Sequence, residues 1–448
     1  GGTTYDFSGS IGQNQADFRI RNTINASLGP ATPTSFEPGS YTQLEKAFNA
    51  NFTTELGSTT VLSYGGEFRE ESFEITNGDL KSFEVGPLAE QGFSIGSNGF
   101  QGFKPQDAGV FSRRSKALYA DLETFVTDEW MLAVALRAED FSDFGSTFDY
   151  KLATKFDVSD SLSIRGSFST GFRAPTIGQA SVRNVSTAFS GGALSEVATV
   201  PPTSAVALQL GGKTLQPEES TSIAAGLVYE AGDFFMTFDI YQIDVDDRIS
   251  QTSDIAVTDE VRAALQADTS ENIGDLANIR YFTNDFDTST TGYDLVMNYS
   301  YEAMGGEIKH AFAYNHNETE VTSTSPFVGE TKVRQLEENL PEDRFTFTTT
   351  LNQDSWNLMA RINYFGEFYE AHLDDGTLPI NAGAEFTIDT EFNMDLSESM
   401  GFAFGVNNLL DEYPDENPWA SIVGAAYPTT SPFGFNGRFY YLKGTYRF

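Results

Sequence analysis

A serine within G-x-S-x-G can serve as an acyl-transfer nucleophile, and the chain carries one such pentapeptide, GFSIG at 92–96. A nucleophile elbow needs a strand-to-helix turn and a histidine base. Here the context is GFSIGSNGFQGF, a glycine-rich loop, and the three histidines stand far off at 310, 316 and 372. The pentapeptide reads as an external loop and the chain as no enzyme. Two clusters carry metal-ligand chemistry: His310, His316, Glu318 and Glu320 on or beside one strand, and His372, Asp374 and Asp375 in a loop. Imidazole and carboxylate suit divalent metals, but a polar loop base explains both clusters equally well. The run DVDDR (244–248) lacks the glycine turn and distal glutamate of a calcium loop and reads as a solvated strand exit. Cysteine is absent, which removes disulfides, zinc–thiolate sites and thiol nucleophiles. No cofactor and no resident metal are expected, and what remains is binding and conduction.

The elements that would position such residues repeat with period two rather than 3.6. In SLSIRGSFSTGFR (161–173) one face carries Leu162, Ile164, Gly166, Phe168, Thr170 and Phe172. The other carries Ser163, Arg165, Ser167, Ser169 and Arg173. In SWNLMARINYFG, Trp356, Leu358, Ala360, Ile362 and Tyr364 oppose Asn357, Met359, Arg361, Asn363 and Phe365. Many such runs reach about 10–15 residues, beyond the usual ~5–6 of globular strands and suited to a tilted bilayer crossing. No apolar stretch approaches the ~18 residues of a membrane helix.

Connections alternate in length. Short turns are expected at 12–15, 56–60, 127–130, 158–161, 230–233, 302–307, 352–355 and 397–400. Longer stretches lie near 29–41, 76–111, 174–216, 251–289, 321–341, 371–384 and 411–434, with a short one near 143–146. Short turns on one side and long loops on the other mark an outer-membrane barrel with periplasmic turns and extracellular loops. The scheme counts about 17 strands, the first and last both descending. An odd count does not make a whole bacterial barrel, so an N-terminal part of the barrel is expected to be missing from this chain. Within one long loop, TDEVRAALQAD (258–268) has the cap and apolar spacing of a short helix.

Composition narrows the partners. With 27 Lys+Arg against 64 Asp+Glu the net charge is -37, which excludes nucleic acid, whose phosphates need clustered basic residues. The 39 Phe and 19 Tyr exclude a disordered chain.

Several stretches resemble the TonB-dependent outer-membrane receptor barrel: GFRAPTIGQ (171–179), LQPEEST (215–221), FTNDFDTSTTGYDLVMNYSY (282–301), GFAFGVNNLLDEYP (401–414) and the terminal SPFGFNGRFYYLKGTYRF (431–448). NTINASLGPATPTSF (22–36) also resembles mid-barrel sequence. The resemblance covers essentially the whole chain, 1–448, as the C-terminal portion of the barrel. It implies an all-β, antiparallel up-and-down barrel of the 22-stranded type with a plugged lumen, here incomplete. It also implies ligand binding from outside and energy from a periplasmic TonB complex pulling on an N-terminal box. No plug-like segment or coupling box is visible in this chain.

The implied function is import of a scarce bulky ligand, a ferric siderophore or an oligosaccharide. A passive porin-like channel and an acidic non-membrane carbohydrate-binding β protein stay open beside it. Ligand and lumen candidates are Arg165, Arg173, Arg361 and Asn363 on the polar strand faces, and Trp419 and Tyr427 in the aromatic loop EYPDENPWASIVGAAYP (412–428). That loop and FEVGPLAEQGFSIGSNGF (83–100) can stack on a ligand, or pack loop against loop. In the last strand, Tyr440, Leu442, Gly444, Tyr446 and Phe448 are expected to face lipid, and Tyr441, Lys443, Thr445 and Arg447 the lumen. Expected partners are outer-membrane lipid and lipopolysaccharide, and the barrel-assembly machinery, which would read the strand ending in Phe448.

Overall fold

The computed structural model describes residues 2–190, 193–268, 276–371 and 378–448. Sixteen antiparallel strands form one sheet whose spatial order follows chain order. They are β1 (Thr3–Arg21), β2 (Ser35–Glu55), β3 (Thr60–Asn77), β4 (Gly109–Phe125), β5 (Trp130–Phe141), β6 (Gly145–Ser159), β7 (Leu162–Arg173) and β8 (Glu218–Ala231). They continue as β9 (Phe234–Gln251), β10 (Phe282–Ala303), β11 (Gly306–Thr324), β12 (Asp343–Asn352), β13 (Trp356–Phe365), β14 (Glu385–Ser397), β15 (Met400–Asn407) and β16 (Phe439–Tyr446). The wall is uneven: β1 to β4 run 17–21 residues and β12 to β16 only 8–13. Among the described residues neither β1 nor β16 has a second neighbour, so the sheet ends in two edges.

One expected turn is absent. GQNQ at 12–15 continues β1, with Gly12 opposite Glu45, Gln13 opposite Leu44 and Gln15 opposite Thr42. Its polar residues sit on an edge strand with nothing packed on them, so a strand there needs no apolar alternation. Joining the two expected runs gives sixteen strands rather than about 17. β1 starts at the short-turn end, where β16 finishes, so the parity argument for missing strands does not stand. The other expected short turns hold. In the 304–305 turn Met304 (φ 56°) and Gly305 (φ 78°) both take positive φ, the type I′ geometry that matches strand twist.

The faces alternate as the period-two reading expects. Outward side chains are apolar, such as Leu118, Leu152, Ile164 and Leu442, all exposed. A compact apolar core lies instead in the long loops. There strands Asn184–Ser190, Ala193–Thr199, Leu276–Arg280 and Ile255–Ala256 form a separate four-stranded sheet. Val200, Val206, Ile279 and Tyr281 pack beneath it, fully buried or nearly so. The helix expected at 258–268 is present as Asp259–Asp268.

Candidate lumenal and extracellular site

The lumenal face is polar, and its side chains are ordered by glycines in the intervening strands. Arg165 on β7, Gly226 on β8 and Asp239 on β9 stand opposite one another in one row. The missing side chain at Gly226 lets the guanidinium pass over it, and Nε donates to Asp239 Oδ1 at 2.8 Å. A Cβ at Gly226 would stand 2.0 Å from that oxygen. The same device recurs where Tyr119 reaches Asn51 over Gly65 (2.8 Å) and Tyr441 reaches Glu391 over Gly405 (2.5 Å). An isolated glycine inside a strand pattern signals such a close approach, and this was the unread clue to these rows.

Of the expected residues, Arg165 lines a lumenal cavity of about 390 Å³ with Lys151, Lys155 and Ser163. Arg173 pairs bidentately with Glu218, whose Oε1 also accepts from the Ile249 amide at 2.7 Å. Six strands along, on β13, Arg361 donates to Thr348 (3.0 Å) and Asn363 to Asp389 (2.9 Å). Thus Arg165 and Arg173 belong to one sector, Arg361 and Asn363 to another. Trp419 and Tyr427 lie in the extracellular cap. The Trp419 indole donates to the Pro379 carbonyl (2.9 Å), and Tyr427 stacks on Tyr413 at 5.5 Å. Trp419 thus packs loop on loop, and Tyr427 packs within its own loop.

That cap was not foreseen. Hairpin Phe368–Ala371 with Pro379–Ala382 receives the helix Glu330–Glu338: Arg334 lies 3.8 Å over the Tyr369 ring, and Gln335 donates to the Ala371 carbonyl (2.7 Å). On its other side Glu370, 4% exposed, accepts from both the amides and the hydroxyls of Thr429 and Thr430 (2.6–3.1 Å). Burial acts to raise the Glu370 pKa, but these four donors outweigh it and hold the carboxyl below its ordinary value. Three long loops are thereby fastened into one unit. A second anchor is Arg113 on the lumenal side of β4, which binds Glu71 (2.7 Å) and donates to the Pro175 carbonyl (2.6 Å). In the loop sheet, burial and then Asp285 push the Tyr281 phenol up to about 12, and its hydroxyl donates to the Leu210 carbonyl (2.8 Å).

The two described histidines are engaged otherwise, and Ser94 sits in a loop whose backbone pairs with Ser27, not on a strand-to-helix turn. His310 stacks on Phe347 and bonds Thr349, while His316 bonds Asp343 beside Tyr293. Both histidines thus join outward aromatic belts of the kind that sit at membrane interfaces. No metal-holding group of His, Asp and Glu occurs among the described residues. His372, Asp374 and Asp375 lie outside the described residues.

Apolar outside, polar inside, turns short at one end and loops folded at the other: this is a membrane β-barrel wall of the large receptor class. The family described as "TonB dependent receptor-like, beta-barrel" matches residues 2–409. The chain belongs to that family, whose members are transporters and not enzymes, and its place is the outer membrane of a Gram-negative bacterium. Over 352 residues it is 22% identical to an iron-regulated outer membrane virulence protein of Vibrio cholerae, covering 77% of this chain and 49% of that protein. The fold is similar to the ferric enterobactin receptor PfeA of Pseudomonas aeruginosa (TM-score 0.66, 15% identity, 100% of this chain and 59% of that one). It is also similar to the siderophore receptor PirA of Acinetobacter baumannii (TM-score 0.65, 15% identity, 100% and 60%). The FrpB iron transporter of Neisseria meningitidis gives TM-score 0.63 at 14% identity over 99% and 61%. The chain spans about half the length of the curated relative and about three fifths of these structures.

Proposed function

We propose that the chain forms the wall and outer rim of an active-transport receptor that imports a ferric siderophore, energised by a periplasmic coupling protein of the TonB type. The observation that carries this is the fastened extracellular cap above a polar, charge-lined lumen: a capture surface over a route. The siderophore assignment follows the names of the similar proteins, and an oligosaccharide is the other ligand class. The two sheet edges left unpaired among the described residues support completion of the wall by residues outside these sixteen strands. The outward apolar face contacts outer-membrane lipid, and the strand leading to Phe448 serves as the signal for the barrel-assembly machinery.

The test is growth and radioactive iron uptake under iron limitation in a strain lacking the gene. Loss of uptake of one ferric siderophore, restored by the full-length gene, supports the reading. Unchanged uptake of every siderophore offered overturns the ligand class. Sixteen strands is also a porin number, which favours passive conduction as the second reading. A steady open pore in planar bilayers would select it.

A further inference from the structure

The apolar outer face of a barrel disfavours exposed cations except at its interfaces. In this acidic chain the wall's basic residues are sorted by face: Arg137, Lys155, Arg165, Lys309 and Arg361 alternate inward. Three outward-facing ones are gathered on β2 and β4. Lys46, Glu70 and Arg114 stand opposite one another in one row. Lys46 Nζ lies 3.4 Å from Glu70 Oε1 and Arg114 Nε 3.0 Å from Oε2. Lys116, two residues along on the same face as Arg114, is exposed and has no hydrogen bond or ion pair among the described residues. Asp140 is its neighbour across the strands, and Ser146 already donates to that carboxylate. Three cations therefore face two carboxylates, with the Arg114 and Lys46 side chains 70% and 51% exposed.

On the same face Phe48 and Phe68 lie in the row of Lys116, one row below Lys46 and Arg114, and Leu118 lies one row lower still, all three exposed. Glu70 is about ten residues beyond the turn that begins β3. That is ~33 Å along the strand at ~3.3 Å per residue, or ~25 Å of height at a tilt of about 40°, the height of a barrel's apolar band. Lys46 and Arg114 thus stand at headgroup level of the outer leaflet, Lys116 at its lower edge beside Phe68, from which its ammonium can extend upward, and Leu118 at acyl-chain level. A single lysine there would extend to water, whereas three cations beside two carboxylates leave net positive charge in one place. Around the rim the outward face of β8, β9 and β11 is acidic instead, with Glu219, Asp244, Asp246, Glu318 and Glu320, so the positive patch is local.

We propose that Lys46, Arg114 and Lys116 bind the phosphate of an anionic outer-leaflet lipid whose acyl chains lie along Phe48, Phe68 and Leu118. The site rests on the outer-membrane placement of the chain. A phosphate monoester suits the fork of Arg114 and the point charges of the lysines.

The experiment uses the full-length protein, extracted in detergent, stripped of lipid and incubated with diphosphoryl lipid A before native mass spectrometry. The K46Q/R114Q/K116Q variant is expected to retain at least about tenfold less lipid A than wild type, a difference of about 1.4 kcal/mol. The lumenal K309Q variant is expected to retain as much as wild type. Dephosphorylated lipid A and phosphatidylcholine are expected not to distinguish wild type from the triple variant. Equal lipid A retention by the triple variant overturns the site, as does equal loss with dephosphorylated lipid. Displacement of lipid A by millimolar inorganic phosphate would mean that the patch takes free phosphate, which also overturns it. Heat-modifiable electrophoresis verifies that the variants fold, and R114Q alone gives a milder loss of the same sign. Membrane fractionation separates the two failures: protein absent from the outer membrane defeats the placement itself, not only the site.

Discussion

Arg165 and Asp239 lie two strands apart and are joined across Gly226, whose place any side chain would fill. Replacing Gly226 by Val should therefore do more harm than removing either charge. Breaking the half-exposed ion pair with R165Q is expected to cost about 1 kcal/mol or less. G226V forces the guanidinium aside and leaves Asp239 without its partner, and it should lower the unfolding temperature of the folded barrel by several degrees beyond R165Q. Heat-modifiable electrophoresis compares them directly, and a G226V barrel as stable as wild type would refute the role of the gap.

Arg113 is the inner fastening of the loop after β7. Its side chain is 7% exposed and holds Glu71 and the Pro175 carbonyl together. Removing one partner of a buried pair costs about 3–5 kcal/mol. R113Q is expected to free the segment after Arg173 to limited proteolysis while the strands stay intact. E71Q/R113Q should recover part of that protection, because the buried Glu71 charge is then no longer left unpaired, while Asp143, 3.7 Å from the guanidinium, is exposed enough to be solvated.

The Glu370 clip carries a pH dependence of defined sign. Its carboxyl pKa is held below the ordinary value, so the protonated form binds the two threonines less well. The stabilisation is complete above the unfolded carboxyl pKa of about 4.3 and is lost as pH falls through the lower folded value. The three tryptophans are Trp130, Trp356 and Trp419, and W130F/W356F leaves only the one in the cap. Its emission should shift to the red upon acidification below that range and at neutral pH in E370A. An E370Q variant should show no further shift with acid.

Tyr281 ties the small loop sheet to the turn at Leu210. Removing the hydroxyl in Y281F leaves the carbonyl with one donor fewer, at a cost of about 1 kcal/mol. The expected result is faster amide exchange at Val200 and Ile279, with exchange in β7 to β10 unchanged. The wild-type phenol, pushed up to about 12, should show no ultraviolet titration below pH 11.

The wall was legible in the residues because two solvents impose it: lipid on one face and water on the other leave a period of two. Arg165, Arg361 and Asn363 could be placed on the inner face for that reason alone. GQNQ misled because polarity marks a turn only where the alternative strand must be buried, and β1 is an edge. Rows such as Arg165–Gly226–Asp239 depend on the register of three strands, which no single strand encodes. The cap escaped for a related reason: Glu370 meets Thr429 and Thr430 across about sixty residues of sequence, and only the folded sheet brings their loops together.

The unequal strands have a mechanical meaning. Along β1 to β4 the barrel stands high, and every increment of height is locked by backbone pairing to a neighbour. Over β12 to β16 it is cut low, and the space above is filled by loops held to one another by side chains. Bending the high side would shear long ladders of hydrogen bonds at once. Swinging the low side aside breaks a handful of contacts centred on Glu370 and Arg334. The rim is therefore a woven parapet at one end of the sheet and a pinned one at the other, and on the reading proposed above a bulky cargo would enter most cheaply by displacing the pinned side.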